Sequence, residues 1–199
     1  MSDPVAIPDG RDVRRRLDRP DADHVVVACP PHPEYGSSRS DPRLRAVSDA
    51  LAPDVACLRF DYGPWDGGAG EHRDAENALS WAHERFDGVR LLGYSFGAGV
   101  ALRAAVSLRT GRAPDACSVL APPATGSVVA ALDGIDCPLQ VVYGERDDTV
   151  DWRPVVDRTR ALREGGRPFT TASLPAGHHF GGRFDRVGTL VAAFLQQRL

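Results

Sequence analysis

The chain has 199 residues, which predicts a single domain over residues 1–199 that buries its apolar side chains in one core. All 24 basic residues are arginine, and the lack of lysine excludes a P-loop nucleotide site, whose G-x-x-x-x-G-K-[ST] motif needs that residue. The formal net charge of −3 and the single arginine run at residues 14–16, which acidic residues flank, argue against nucleic-acid binding.

Short apolar runs and amphipathic segments alternate along the chain. At the N-terminus, residues 5–7 and 12–17 flank a turn-like Pro-Asp-Gly, which predicts an antiparallel hairpin at one sheet edge. Apolar runs then predict strands at residues 24–29, 55–60, 89–94, 116–120, 139–143 and 169–174. The segments between and after them predict helices at residues 42–51, 71–86, 96–110, 127–132, 153–164 and 183–198.

The order of these elements predicts the fold class. Alternating strands and helices are typical of a doubly wound α/β domain, and continuously apolar strands are typical of a parallel sheet covered on both faces. Only the short helix at residues 127–132 fits between residues 120 and 137, which leaves no room for a cap domain. We therefore expect a mostly parallel, doubly wound sheet with an antiparallel N-terminal hairpin and no cap domain.

Residues 93–97 read Gly-Tyr-Ser-Phe-Gly and stand directly between a predicted strand and a predicted helix. This is the G-x-S-x-G pattern in the strand-to-helix context of a nucleophile elbow. A tight turn there lifts the serine hydroxyl above the sheet, and the helix N-terminus directs N–H groups towards developing negative charge. The pattern predicts Ser95 as a nucleophile.

A serine nucleophile needs a base to take its proton, and the base needs an acid that orients it. In a fold of this kind the chain order is serine, acid, histidine. Asp147 and Asp148 follow the strand at residues 139–143, and His178 and His179 follow the last strand. In a parallel sheet both loops lie at the same edge as the serine. Adjacent side chains point in different directions, so the local sequence leaves open which aspartate and which histidine serve.

From residue 24 to the C-terminus, the sequence resembles the compact α/β-hydrolases related to dienelactone hydrolase. The acid motif of that family is similar to G-x-x-D, which falls on Gly144 and Asp147. Its histidine motif, with an aromatic residue nearby, falls on His178. The resemblance therefore implies catalytic roles for Asp147 and His178, and it leaves Asp148 and His179 as a supporting pair.

One residue departs from that family. Dienelactone hydrolases carry cysteine in the elbow where this chain has Ser95, which puts dienelactone in doubt as the substrate and favours a serine esterase. We expect a carboxylic-ester hydrolase that forms an acyl-enzyme in a shallow, open site for small or extended acyl substrates. The alternatives are a thioesterase or acyltransferase with the same triad, and a non-catalytic binding protein on a hydrolase scaffold.

An oxyanion hole needs two backbone donors, and the N–H of Phe96, the residue after the nucleophile, is expected to be one of them. The other is expected in the loop after the strand at residues 24–29, where the prolines have no N–H. Similarity to the dienelactone-hydrolase loop implies the N–H of Glu34 as the second donor, with Tyr35 as the next choice.

Aromatic side chains in two loops are candidates for the substrate pocket. They are His32 and Tyr35 after the strand at residues 24–29, and Tyr62 and Trp65 after the strand at residues 55–60. Three of the four have a structural alternative: His32 shapes a proline-rich turn, and Tyr62 and Trp65 cover the sheet edge.

The remaining predictions concern location, metals and partners. The N-terminus lacks the basic and apolar regions of a signal peptide, and no apolar run is long enough to span a bilayer, so we expect a cytoplasmic protein without membrane association. The four cysteines form no C-x-x-C pair and have no histidine at zinc spacing, which predicts buried, reduced thiols and no metal site. We expect a small-molecule ester as substrate and no cofactor; the sequence leaves the oligomeric state open.

Overall fold

The structure is a computed structural model that describes residue 11 and residues 13–36, 38–108 and 112–197. Within those ranges the strands are β1 (Arg15–Asp18), β2 (His24–Cys29), β3 (Val55–Phe60), β4 (Gly88–Tyr94), β5 (Ala116–Leu120), β6 (Leu139–Gly144) and β7 (Phe169–Leu174). The α-helices there are α1 (Pro42–Ala50), α2 (Ala69–His83), α3 (Phe96–Ser107), α4 (Gly126–Ala131), α5 (Arg153–Glu164) and α6 (Phe184–Gln196). Short 3-10 turns lie at Pro33–Tyr35 and Leu132–Gly134.

The strands form one sheet in the order β1-β3-β2-β4-β5-β6-β7. β1 is antiparallel to β3, with Arg15 opposite Phe60, and every other pairing is parallel. Helices α1 and α6 cover one face, and α2, α3, α4 and α5 cover the other. The predicted α/β class, with a mostly parallel and doubly wound sheet, is confirmed.

The core lies on both faces of the sheet. Every residue of β3, β4, β5 and β6 is buried, as expected for parallel strands between two helical layers. Leu58 and Leu91 belong to the apolar cluster under α2 and α3, whereas Val26 and Leu92 belong to the cluster under α1 and α6. Because interiors packed in this way deform little, the sheet is a rigid base for the loops at its carboxyl edge.

The bounds of α2 differ from the predicted residues 71–86. Glu71 accepts the backbone N–H groups of Gly68 at 2.7 Å and Asp66 at 3.0 Å, so the helix starts earlier, at Ala69. The helix ends at His83, although Phe86 still packs against the core after the helix has ended. The regular spacing of apolar residues therefore extends past the last helical residue, which is why it predicted a helix end at residue 86.

The predicted antiparallel hairpin is described only in part. Its second arm is β1, which begins at Arg15 and pairs with β3. Its first arm at residues 5–7 lies outside the described residues, as do residues 109–110 and 198 of two predicted helix ends. Residues 121–138, all described, form α4 and a 3-10 turn, so no cap is inserted between β5 and β6.

Candidate active site

Ser95 forms the sharp turn from β4 into α3. Its backbone has φ 54° and ψ −119°, a conformation that residues with a side chain rarely adopt, and its N–H donates to the Leu120 carbonyl at 2.8 Å. A Cβ on Gly93 would lie 2.3 Å from the Gly97 oxygen, and a Cβ on Gly97 would lie 2.2 Å from the Pro30 oxygen. Close backbone packing therefore requires both glycines of the motif.

The backbone strain at the elbow gives a stability prediction. We expect Ser95→Gly to have a free energy of unfolding about 1 kcal/mol higher than Ser95→Ala, because glycine adopts this conformation without a Cβ penalty. Urea denaturation of the two variants measures the difference. Both variants lack the hydroxyl, so the comparison isolates the backbone; equal stability would show that the elbow is unstrained.

A chain of hydrogen bonds runs from Ser95 into the protein. The Oγ atom of Ser95 lies 3.0 Å from Nε2 of His178, and Nδ1 of His178 lies 2.8 Å from Oδ2 of Asp147. The other oxygen of Asp147 accepts the N–H groups of Thr149 at 2.9 Å and Val150 at 3.1 Å. The Asp147 side chain is fully buried, and the His178 side chain is 5% exposed. Two backbone donors and the imidazole thus satisfy and orient the buried carboxylate.

The loops after β6 and β7 are bonded directly to each other. The N–H of Glu145 donates to the Leu174 carbonyl at 2.9 Å, and the N–H of Arg146 donates to the Ala176 carbonyl at 3.0 Å. A Cβ on Gly144 would lie 2.5 Å from the Ala176 oxygen, so the two loops can come this close only with glycine at position 144. This contact brings the aspartate loop against the histidine loop.

The structure separates the two adjacent pairs that the local sequence left open. Asp147 and His178 turn inwards and reach the elbow serine through the hydrogen bonds given above. Asp148 and His179 are both exposed. The geometry therefore agrees with the choice that the family resemblance implied.

Sequence reasoning did not identify Tyr94 and Arg43 at this site. The Tyr94 hydroxyl donates to the His178 carbonyl at 3.3 Å and lies 3.3 Å from Nδ1 of His179; burial raises the pKa of Tyr94 to about 12, which keeps the phenol protonated. The Arg43 guanidinium lies 4.4 Å over the Tyr94 ring and donates to the His179 carbonyl at 3.2 Å. These contacts hold the histidine loop. Because Arg43 and His179 are 136 positions apart, no local pattern links them.

A cavity of about 530 Å³ opens in front of Ser95. Its lining residues are Pro31, His32, Tyr35, Arg43, Tyr94, Ser95, Phe96, Pro123, Thr125, Thr149, Val150, His178 and His179. Two of the four predicted pocket residues, His32 and Tyr35, belong to this lining.

The other two predicted pocket residues lie elsewhere, which corrects the expectation from the sequence. Tyr62 is buried, and its hydroxyl donates to the Pro30 carbonyl at 3.1 Å. The Trp65 ring packs on His32, with 4.4 Å between ring centroids. Because the loop after β3 runs beside the loop after β2, Tyr62 and Trp65 support that neighbouring loop and do not line the cavity.

The expected oxyanion donors differ in their availability. Phe96 is the first residue of α3, so its N–H is one of those that have no acceptor within the helix. In the loop after β2, the N–H of Glu34 donates to Nδ1 of His32 at 3.3 Å, and the N–H of Tyr35 donates to the His32 carbonyl at 3.2 Å. Both residues predicted as the second donor are therefore engaged within their own 3-10 turn.

The cysteines are free thiols, and Cys29, Cys57 and Cys117 are buried. Burial raises the pKa of Cys29 to about 12 and that of Cys57 to about 11, so these thiols stay protonated and unreactive at neutral pH. In the described ranges, no group of three or more His, Cys, Asp and Glu side chains is arranged to hold a metal ion. None of the described helices is long and apolar enough to cross a membrane.

No protein-family model matches the chain, and no curated protein is similar to it in sequence. Solved structures do share its fold. An alpha-beta serine hydrolase homologue from Coxiella burnetii is 23% identical, with a TM-score of 0.82 over 98% of this chain and 97% of that one. Dienelactone hydrolase from Anabaena variabilis is 20% identical, with a TM-score of 0.77 over 97% and 95%. Est1E from Butyrivibrio proteoclasticus is 15% identical, with a TM-score of 0.80 over 98% and 97%, and has also been solved with ferulic acid bound.

The sheet order, the elbow after the fourth strand and these similarities define the class of protein: the chain has the α/β-hydrolase fold. Within that class, its structure is similar to esterases and to a dienelactone hydrolase across nearly the whole chain.

Proposed function

We propose that this protein is a serine hydrolase that cleaves a carboxylic ester through an acyl-enzyme. The observation that carries the proposal is the unbroken hydrogen-bond chain from the Ser95 hydroxyl through His178 to the buried Asp147 carboxylate. A nucleophile, a base and an orienting acid in contact are the parts that activate a hydroxyl group. The fold shared with esterases supports the same interpretation.

In the first half-reaction, Ser95 Oγ attacks the carbonyl carbon of the ester while His178 Nε2 takes the hydroxyl proton. The carbonyl π electrons move onto oxygen and form a tetrahedral oxyanion. Its collapse breaks the bond between carbon and the alcohol oxygen, and His178 gives its proton to the leaving alkoxide. The products are the free alcohol and an acyl ester of Ser95.

In the second half-reaction, water attacks the acyl-enzyme and gives a proton to His178, which then returns that proton to Ser95 Oγ as the carboxylic acid leaves. Asp147 Oδ2 accepts the Nδ1–H of His178 at 2.8 Å, which leaves the lone pair of Nε2 directed at the serine. The same carboxylate stabilises the imidazolium formed in each half-reaction.

The oxyanion would be held by two backbone N–H groups, one of them that of Phe96 at the N-terminus of α3. For the second, residues 30–35 offer few choices, because three are prolines and the N–H groups of Glu34 and Tyr35 are engaged. The remaining N–H is that of His32, which we propose as the second donor in place of Glu34.

A proline substitution tests this donor. Because His32 has φ −59°, proline fits its backbone conformation and removes only the N–H and the ring. We expect His32→Pro to lower kcat by on the order of 10²-fold relative to His32→Ala, which also lacks the ring but keeps the N–H. Steady-state hydrolysis of one ester by both variants, with circular dichroism to verify folding, makes the comparison. Equal kcat values would remove His32 from the oxyanion hole.

The cavity favours a small-molecule ester over a long lipid, because about 530 Å³ of open space accommodates a compact acyl group and the described segment between β5 and β6 forms no cap that would enclose a longer one. The structure of Est1E with ferulic acid shows a small aromatic acid bound to that protein, which supports a substrate of similar size here.

Two measurements on the intact protein test the proposed function. Hydrolysis of a 4-nitrophenyl ester series from acetate to octanoate is expected to be fastest for the shorter chains. A fluorophosphonate probe is expected to modify one serine, and mass spectrometry of the labelled peptide is expected to locate it at Ser95. A folded protein that neither hydrolyses these esters nor reacts with the probe would contradict the proposal.

A further inference from the structure

Aromatic rings cluster on one side of the cavity. The centroid of the His32 ring lies 4.9 Å from that of Tyr35 and 4.9 Å from that of Phe96. These three residues line the cavity, and we call them the aromatic wall. Trp65 supports the wall from outside the lining, at 4.4 Å from His32 and 5.6 Å from Phe96. The planes of Tyr35 and Phe96 are tilted from that of His32 by 41° and 58°, so the wall presents ring faces in several orientations.

Aromatic side chains in and beside the wall remain exposed to solvent in the folded protein. Among the described residues, the large hydrophobic side chains left exposed are Tyr35 at 85% and Trp65 at 40%, and both belong to or support the wall. A single exposed apolar residue needs no explanation, but exposed aromatic rings gathered at a cavity mark a binding surface. The free face of Tyr35 is therefore available to a ligand.

The sheet order indicates which half of an ester meets the wall. His32 and Tyr35 follow β2, on one side of β4 and its serine, whereas His178 follows β7, on the other side. The leaving alcohol must lie near His178 Nε2, because that atom gives it a proton. With that side of the cavity taken by the alcohol, and the oxyanion held at the backbone N–H groups of Phe96 and His32, the acyl group would extend away from His178 along the rings of the aromatic wall.

We propose, building on the proposed ester hydrolysis, that the preferred substrates are esters of aromatic carboxylic acids, with a phenyl-type ring a few bonds from the carbonyl. The ring of the acyl group packs against Tyr35, His32 and Phe96 in offset or edge-to-face contact. A saturated ring of the same size buries as much apolar surface but lacks the π quadrupole that such contacts use. Contacts of this kind favour the aromatic ring by a factor of about 3 to 10.

A matched pair of substrates isolates that preference. Methyl 3-phenylpropanoate and methyl 3-cyclohexylpropanoate share the leaving methanol and the saturated carbons next to the carbonyl, so their intrinsic reactivities match. We expect kcat/KM to be about 3- to 10-fold higher for the phenyl ester. 2-Phenylethyl propanoate and 2-cyclohexylethyl propanoate carry the same rings on the alcohol, separated from its oxygen by two saturated carbons, and for this second pair we expect a ratio near one.

Variants of the wall complete the test. Tyr35→Leu removes an aromatic face from a side chain that is 85% exposed, so folding is expected to be unaffected. We expect it to lower the phenyl-to-cyclohexyl ratio of the acyl pair to within about twofold of one. Glu34→Gln is the matched control, since Glu34 is an exposed neighbour of Tyr35 in the same 3-10 turn and does not line the cavity, so the ratio should be unchanged.

The outcomes separate this inference from the function on which it rests. Equal kcat/KM values within the acyl pair, a preference that survives Tyr35→Leu, or a preference found in the alcohol pair would each overturn the aromatic acyl specificity and leave ester hydrolysis standing. Labelling of Ser95 without turnover of any of the four esters would also overturn it. Absence of both labelling and turnover would overturn the proposed function, and the specificity with it.

Discussion

Ser95→Ala is expected to lower kcat for ester hydrolysis by on the order of 10⁴-fold or more and to abolish labelling by a fluorophosphonate probe. The acyl-enzyme forms on the serine hydroxyl, and no neighbouring group can replace it. The thiols in the described core are no substitute, because burial raises the pKa of Cys29 to about 12. Turnover of a 4-nitrophenyl ester and mass spectrometry of the probe adduct are the two measurements.

The matched control for this experiment is Ser127→Ala, which removes the hydroxyl of an exposed serine in α4. It should react with the probe and hydrolyse esters as the unaltered protein does. Label that persists in Ser95→Ala would assign the nucleophile to another residue. Much faster turnover of a thioester than of the matching ester would favour thioester hydrolysis by the same triad, and a folded protein inert in both assays would favour a binding protein on this scaffold.

The two adjacent histidines are expected to differ sharply in their effect on activity. His178→Ala should lower kcat by on the order of 10³-fold or more, because it removes the group that takes the Ser95 proton. His179→Ala should cost less than about tenfold, since His179 is exposed and its ring contacts Tyr94 rather than the serine. Steady-state kinetics on one ester, with thermal unfolding to establish that both variants fold, measures the difference.

Each variant is the control for the other, because both shorten a histidine side chain in the same loop. A large loss in His179→Ala together with full activity in His178→Ala would reverse the assignment of the base. Equal, moderate losses would show that the loop as a whole, held by Tyr94 and Arg43, matters more than either imidazole.

The sequence by itself determined which segments form the parallel strands and where the elbow lies. Strands such as β2 and β5 were bounded correctly because a strand buried on both faces is a largely apolar run, and each of these two runs follows an aspartate and stops at or just before a pair of prolines. Ser95 could be singled out because the five-residue G-x-S-x-G pattern stands directly between a strand and a helix. Both signals are local, so a short stretch of sequence contains them.

Only the tertiary structure decided the features that depend on contacts between distant segments. The local sequence left Asp147 and Asp148 open, and the family resemblance only implied the first; the structure shows Asp147 facing the imidazole where the loops after β6 and β7 are hydrogen-bonded to each other. Tyr62, which the sequence predicted in the pocket, does not line the cavity, because its hydroxyl donates to the carbonyl of Pro30, 32 positions away. The engaged N–H of Glu34 likewise depends on the direction of the His32 ring. The orientation of a loop side chain follows from which segments the sheet brings together, and the periodicity of apolar residues along the chain does not encode that.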